Sequence, residues 1–130
     1  MRPKALVVED DPTTQRLLAA ILESEGADVD IAGDGEIAID MLSRGTYAVI
    51  LLDIVLPRVS GTAVMEHLRA TRPEVLENVI VVTGLDVAEI RTLFPTVKQA
   101  LSKPVLPARL RATVRLCIPG WGSTADVSVA

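Results

Sequence analysis

Glu9, Asp10 and Asp11 stand in a row directly after the apolar run Ala5 to Val8, and Asp53 ends the longer run that begins at Ala48. Thr83 closes the run Val79 to Val82, and Lys103 follows Leu101 and Ser102. Carboxylates brought within a few ångströms of one another repel, so such a cluster takes up protons or recruits a cation. Oxygen ligands without imidazole or thiolate select a hard ion. Two carboxylates, a backbone carbonyl and retained waters suit the octahedron of Mg²⁺, and magnesium held that way meets phosphate oxygens. A carboxylate at the end of a rigid strand is then a nucleophile for phosphorus, Lys103 pairs with one phosphoryl oxygen, and the Thr83 hydroxyl bonds another. The patterns GxxxxGK[ST] and GxGxxG are absent, so no glycine-rich loop cradles a nucleotide. Phosphate is expected from another protein or a small donor, and it ends on the chain itself.

These residues share a site only if the elements before them are parallel strands ending on one rim. Ala5 to Val8, bounded by acids and Pro12, reads as a buried strand. Leu17, Leu18, Ile21 and Leu22 then recur at helical spacing, with Asp11 to cap, Pro12 in the first turn and Gly26 to stop. A second unit follows, with Val29 to Ala32 as strand and a helix capped by Asp34, carrying Ile37, Ala38, Met41 and Leu42, and ended by Gly45. The run from Ala48 to Asp53 is apolar until its last residue, as in a central parallel strand covered on both faces. Ser60 and Gly61 open a third helix that cannot pass Arg72-Pro73. Val79 to Thr83 is a fourth strand, Asp86 to Phe94 a short helix closed by Pro95, and Val97 to Leu101 a fifth strand. A last helix from Pro107 places Leu110, Val114 and Cys117 on one face. The pattern predicts an α/β fold, a parallel sheet with helices on both faces, whose ligands bind beyond the carboxyl ends of the strands. Residues 1–118 read as one domain and residues 119–130, without period, as a flexible C-terminal tail.

Composition narrows the classes further. The chain has 130 residues, 49% hydrophobic and 23% charged, which is the balance of a folded domain rather than a disordered chain. Its aromatics are Tyr47, Phe94 and Trp121, too few for base stacking, and a net charge of -4 disfavours phosphate backbones. No direct contact with nucleic acid is expected. Cys117 and His67 are each the only residue of their type, which excludes an internal disulfide and a cysteine zinc cage. The apolar start is too short for a signal peptide or membrane span, so a cytoplasmic protein without membrane insertion is expected. Arg109, Arg111 and Arg115 read as a solvated helix face.

The fragments VVEDD, then DIVLPRVSG from Asp53, then VVTG around Thr83, then Lys103-Pro104 resemble, in order and spacing over residues 4 to 118, the receiver domain of bacterial two-component response regulators. That resemblance implies a flavodoxin-like (βα)5 sheet of strand order 2-1-3-4-5. It implies that Asp53 is the phospho-acceptor, with Glu9 and Asp10 as the acidic pair. Mg²⁺ is then held by Asp10, Asp53 and the backbone carbonyl of Val55, with Glu9 beside them. Thr83 and Lys103 take the places of the switch hydroxyl and the phosphate-pairing lysine. The implied partners are a histidine kinase or phosphotransfer protein and a downstream protein whose identity the residues do not encode. Two positions depart from the family. Ala100 stands where it usually has an aromatic switch residue, and Thr96, Val97 and Lys98 replace its usual glycine-alanine-aspartate turn.

Two other classes compete with a signalling receiver. Magnesium-dependent phosphohydrolases use an aspartate nucleophile on a related sheet, but follow it two residues later with an acid, and here that residue is Val55. Slow self-dephosphorylation is the most turnover expected. An unphosphorylated interaction module is disfavoured because Glu9, Asp10, Asp53, Thr83 and Lys103 are all present.

Overall fold

A computed structural model describes residues 2–95, 97 and 99–117. Five strands, β1 (Lys4–Val8), β2 (Asp28–Ala32), β3 (Val49–Leu52), β4 (Val79–Thr83) and β5 (Gln99–Ser102), form one parallel sheet of order β2-β1-β3-β4-β5. Between and after them run α1 (Pro12–Ser24), α2 (Gly35–Arg44), α3 (Gly61–Thr71), α4 (Val87–Leu93) and α5 (Pro107–Cys117). This is the predicted flavodoxin-like order. The 119–130 tail, Trp121 within it, and the departures Thr96 and Lys98 lie outside the described residues.

Alternation along each strand divides the core in two. Leu6, Val8, Ile50, Leu52, Val79 and Val81 pack with Ala38, Leu42, Val64, Leu68 and Ile90 on the α2, α3 and α4 side. Ala5, Val7, Val49, Leu51, Ile80 and Val82 pack with Leu18, Ile21, Leu22, Leu110 and Val114 on the α1 and α5 side. Each fully buried Leu or Ile contributes roughly 1.5–3 kcal/mol, so strands apolar on both faces are what hold this sheet between its helices. Arg115 Nε, 2.8 Å from Glu25 Oε1, and Arg111 Nε, 3.8 Å from Glu25 Oε2, tie α5 to the end of α1. The predicted solvated stripe is therefore partly an inter-helix contact.

Caps set the helix limits as their chemistry requires. Asp11, Asp34, Ser60 and Asp86 each accept a hydrogen bond from a backbone N–H in the first turn of the helix they precede. Two features differ from expectation, although α3 stops before Arg72-Pro73 as predicted. Pro73 ends α3 but starts a 3-10 helix, Pro73–Asn78, as a proline in a first turn permits. The fifth strand begins at Gln99 rather than Val97, because the Val97 N–H is spent closing the turn after α4 on Phe94 O at 3.0 Å. Val97 is still buried, which is why it reads as strand.

At the amino end of the sheet, Arg2 Nε lies 3.1 Å from Asp28 Oδ1 and Lys4 Nζ lies 3.4 Å from Asp30 Oδ2. The buried Tyr47 donates its hydroxyl to Asp30 Oδ2 at 2.8 Å, with Lys4 Nζ 5.5 Å from its ring centre. Burial, then the Asp30 carboxylate, pushes the Tyr47 hydroxyl up to about 12.

Candidate phosphoryl-transfer site

Register brings the acids together. Val8 pairs with Leu52 in the β1–β3 ladder, so the next residues, Glu9 and Asp53, leave adjacent strands side by side. The Asp53 N–H continues the pairing by donating to Val8 O at 3.0 Å, and the Glu9 N–H donates to Ala32 O at 3.1 Å. Thr83 pairs with Ser102 in the β4–β5 ladder, and the Lys103 N–H donates to Thr83 O at 2.9 Å. Glu9, Asp53 and Lys103 continue the alternation of Val7, Leu51 and Leu101, all packed on the α1 and α5 side. Their side chains therefore meet.

Lys103 Nζ lies 2.8 Å from Asp53 Oδ2 and 2.5 Å from Glu9 Oε1. Glu9 and Asp53 are buried, at 1% and 5% exposure, while Asp10 is exposed. Oxygens of all three carboxylates lie within 4.8 Å of one another. Burial raises the Glu9 carboxyl above its ordinary value, and the Lys103 hydrogen bond and the Asp11 N–H only partly offset this. For Lys103 burial acts downward, but the hydrogen bonds from its ammonium to Asp53 and Glu9 outweigh it and hold it above the usual lysine range.

Each remaining oxygen has a traceable fate. Asp53 Oδ1 accepts from the Val55 N–H at 3.0 Å, and Glu9 Oε2 accepts from the Asp11 N–H at 3.0 Å. Glu9 Oε1 is buried and is met by the Lys103 ammonium at 2.5 Å, an ion pair that Lys103 divides with Asp53. Three carboxylates with oxygens within 4.8 Å of one another, two of them buried and sharing a single ammonium, fit a hard divalent cation. The Asp11 side chain turns away to cap α1, its Oδ2 accepting from the Thr14 N–H at 2.8 Å and the Thr14 hydroxyl at 2.7 Å. Those bonds lower its carboxyl, and the capping reading of Asp11 holds.

Thr83 is 1% exposed at the end of β4, and its Oγ1 accepts from the Leu85 N–H at 3.4 Å. Sequence reasoning had no sight of Gln15, whose Nε2 donates to Glu9 O at 2.6 Å and fixes the backbone beneath the acidic pair. Its place on α1 just after the cap was the available signal. Gly61 was seen only as a helix opener. A Cβ there would stand 2.2 Å from Asp53 O and 2.5 Å from Ile54 Cα, so α3 starts in direct contact with the Asp53 backbone.

The response regulator receiver domain profile matches residues 5–115. The transcriptional regulatory protein TcrA of Mycobacterium tuberculosis is 35% identical over 116 residues, 86% of this chain and 46% of that protein. The uncharacterized transcriptional regulatory protein YkoG of Bacillus subtilis is 33% identical over 122 residues, 85% of this chain and 50% of that protein. The chain spans about half the length of these relatives. The receiver domain of the sensor histidine kinase PA1611 from Pseudomonas aeruginosa, with a magnesium ion coordinated in its active site cleft, matches with a TM-score of 0.79 at 27% identity. That match covers 95% of this chain and 99% of that one. Taken with the strand order, a match over this length means that the chain belongs to the receiver domains of two-component response regulators, signalling modules that take a phosphoryl group on an aspartate from a histidine kinase or phosphotransfer protein.

Proposed function

We propose that Asp53 is the phospho-acceptor, charged by a phosphohistidine of a histidine kinase or phosphotransfer protein, or by a small acyl phosphate. The observation that carries this reading is a nearly buried carboxylate at the end of the central strand, paired on Oδ2 with Lys103 at 2.8 Å and crowded by Glu9 and Asp10. Glu9, Asp10, Asp53 and the Val55 carbonyl would hold Mg²⁺. When bound, that ion neutralises charge on the phosphoryl oxygens.

An Asp53 oxygen attacks phosphorus as the donor's P–N bond breaks, leaving an acyl phosphate on the chain, while the departing imidazole keeps the bond's electron pair. Lys103 exchanges a carboxylate oxygen for a phosphoryl oxygen. The Thr83 hydroxyl accepts a bond from the Leu85 N–H, so its proton is free to donate to a phosphoryl oxygen. Turning to do so breaks the tie to Leu85, which packs against the core on the α4 side. Ala100 also packs there but has no ring to follow the hydroxyl inward, so the response runs through Thr83, Gly84 and Leu85 to the downstream protein. Val55 is 61% exposed and apolar. It activates no water, and self-dephosphorylation is slow.

Residues 1–118 act as one receiver unit, a reading supported by the match over residues 5–115. No helix of the described residues is long and apolar enough to cross a membrane, and the net charge of -4 disfavours direct contact with nucleic acid. The transcriptional role named for TcrA belongs to a chain about twice this span, and only the phosphoryl-accepting step is proposed for these residues. Incubation with acetyl phosphate should raise the intact mass by one phosphate with Mg²⁺ present and leave it unchanged with a chelator. An unchanged mass in both overturns the reading.

A further inference from the structure

The loop from Ile54 to Ser60 follows Asp53 and carries Val55. Its start is held by the first residue of α3, whose Gly61 N–H donates to Ile54 O at 2.9 Å. A second hold comes from a different element. Gly35, the first residue of α2, is buried against this loop so closely that a Cβ would stand 1.9 Å from Val59 O and 2.7 Å from Val59 C. Those are backbone atoms, which cannot rotate away as a side-chain tip would. Arg58 adopts a left-handed φ of 63°, a conformation that costs a non-glycine residue energy and persists only where its surroundings impose it. Its guanidinium lies 3.7 Å from Asp34 Oδ2 and 3.7 Å from Glu36 Oε2, on either side of Gly35.

From these contacts we infer that the first turn of α2 latches the phospho-acceptor loop. Gly35 and Arg58 are positioning residues, setting where Val55 lies relative to Asp53 through the Val59 backbone and two ion pairs. The Val55 N–H to Asp53 Oδ1 bond of 3.0 Å is the link by which the loop's position reaches the carboxylate. The metal half of this inference rests on the proposed Mg²⁺ site; the loop half stands on the contacts alone.

Two readouts separate these halves: amide shifts during Mg²⁺ titration well below the melting temperature, and amide exchange of residues 54–60 without metal. Gly35→Ala should speed loop exchange and weaken Mg²⁺ binding about tenfold, the lower end of what is lost when a partner that orients a ligand is removed. Arg58→Gly removes both ion pairs and relieves the left-handed strain, so it should weaken Mg²⁺ binding roughly threefold with little change in melting. Gly26→Ala is the control, with a φ of 98° and nothing within 4 Å of its new Cβ. It strains the chain away from the loop and should leave both readouts as in wild type.

Loop exchange and affinity that stay at wild-type values in Gly35→Ala and Arg58→Gly overturn the latch, as does a loosened loop with undiminished affinity. Should Gly35→Ala not fold, Arg58→Gly decides by the same criteria. If wild type itself does not respond to Mg²⁺, the metal reading falls. The latch is then judged on exchange alone, where loosening in Arg58→Gly but not in Gly26→Ala upholds it and equal exchange overturns it.

Discussion

The two ends of this sheet handle charge in opposite ways. At the amino end each charge has a counterpart: Arg2 with Asp28, Lys4 with Asp30, and Tyr47 donating to Asp30. At the carboxyl end a single ammonium, Lys103, serves two buried carboxylates while a third stands within 4.8 Å. The first end is settled and stabilises. The second is short of positive charge, so it gains when a cation or a phosphoryl group arrives to share the lysine. Unspent electrostatic demand, rather than charge as such, separates a site from a surface.

The sharpest way to break this contrast is at Asp53. Asp53→Asn should abolish the mass gain from acetyl phosphate with Mg²⁺, while Tyr47→Phe at the other end should leave it intact. A full gain in Asp53→Asn would place the acceptor elsewhere.

Removing the cation at each end gives the next largest difference. Lys103→Met strands Glu9 and Asp53, and the loss of one partner from a buried ion pair costs about 3–5 kcal/mol. Lys4→Met, at a pair whose lysine side chain is 55% exposed, should cost no more than about 1 kcal/mol. Urea unfolding of the two variants measures both. The Lys103→Met deficit should shrink as pH falls, because burial already raises the Glu9 carboxyl and protonation removes the stranded charge.

A third effect belongs to the settled end. Tyr47 is held at about 12 in the folded protein against an ordinary 10.0, so above pH 10 the unfolded chain loses a proton that the folded chain keeps. Stability must then fall between pH 10 and pH 12, by no more than about 3 kcal/mol. Tyr47→Phe should remove that part of the decline, and identical alkaline profiles for the two proteins would contradict it.

Smaller again is the metal response. Mg²⁺ at tenfold excess over its Kd should stabilise wild type by about 1.4 kcal/mol, and Asp10→Ala should lose this and, relieved of repulsion, melt at least as high as wild type without metal. A mutant that still responds like wild type removes Asp10 as a ligand. The smallest difference lies within the carboxyl end. With a phosphoryl mimic and Mg²⁺, amide shifts should be large at residues 83–86 and weak at residues 99–105, because Ala100 has no ring to move. Comparable shifts in both stretches would show that a ring is dispensable.

Strand ends were readable because a parallel strand covered on both faces is apolar until it leaves the core, so Glu9, Asp53 and Thr83 each announce an exit. Register was not readable in the same way: nothing local to Val8 says that it pairs with Leu52, and hence that Glu9 lies beside Asp53. Lys103 was placed on the rim, yet its hold on Glu9 depends on burial created by three strands at once. Gly35 drew no reading at all, because the backbone it touches, at Val59, is distant in sequence. Val97 misled because a buried turn residue and a strand residue carry the same apolar signal.

Strand β2 is an outer strand of the sheet, and its other edge offers main-chain donors and acceptors to any extended segment that drifts past. It reads Asp-Val-Asp-Ile-Ala, with Ile31 41% exposed, apolar enough to invite such a visitor. Asp28 and Asp30, with Arg2 and Lys4 beside them, make the invitation costly, since an added strand would have to strip water from these ion pairs. The same charges that settle the amino end therefore discourage strand-to-strand association along β2, which should accept no added strand at concentrations where an uncharged edge would begin to pair.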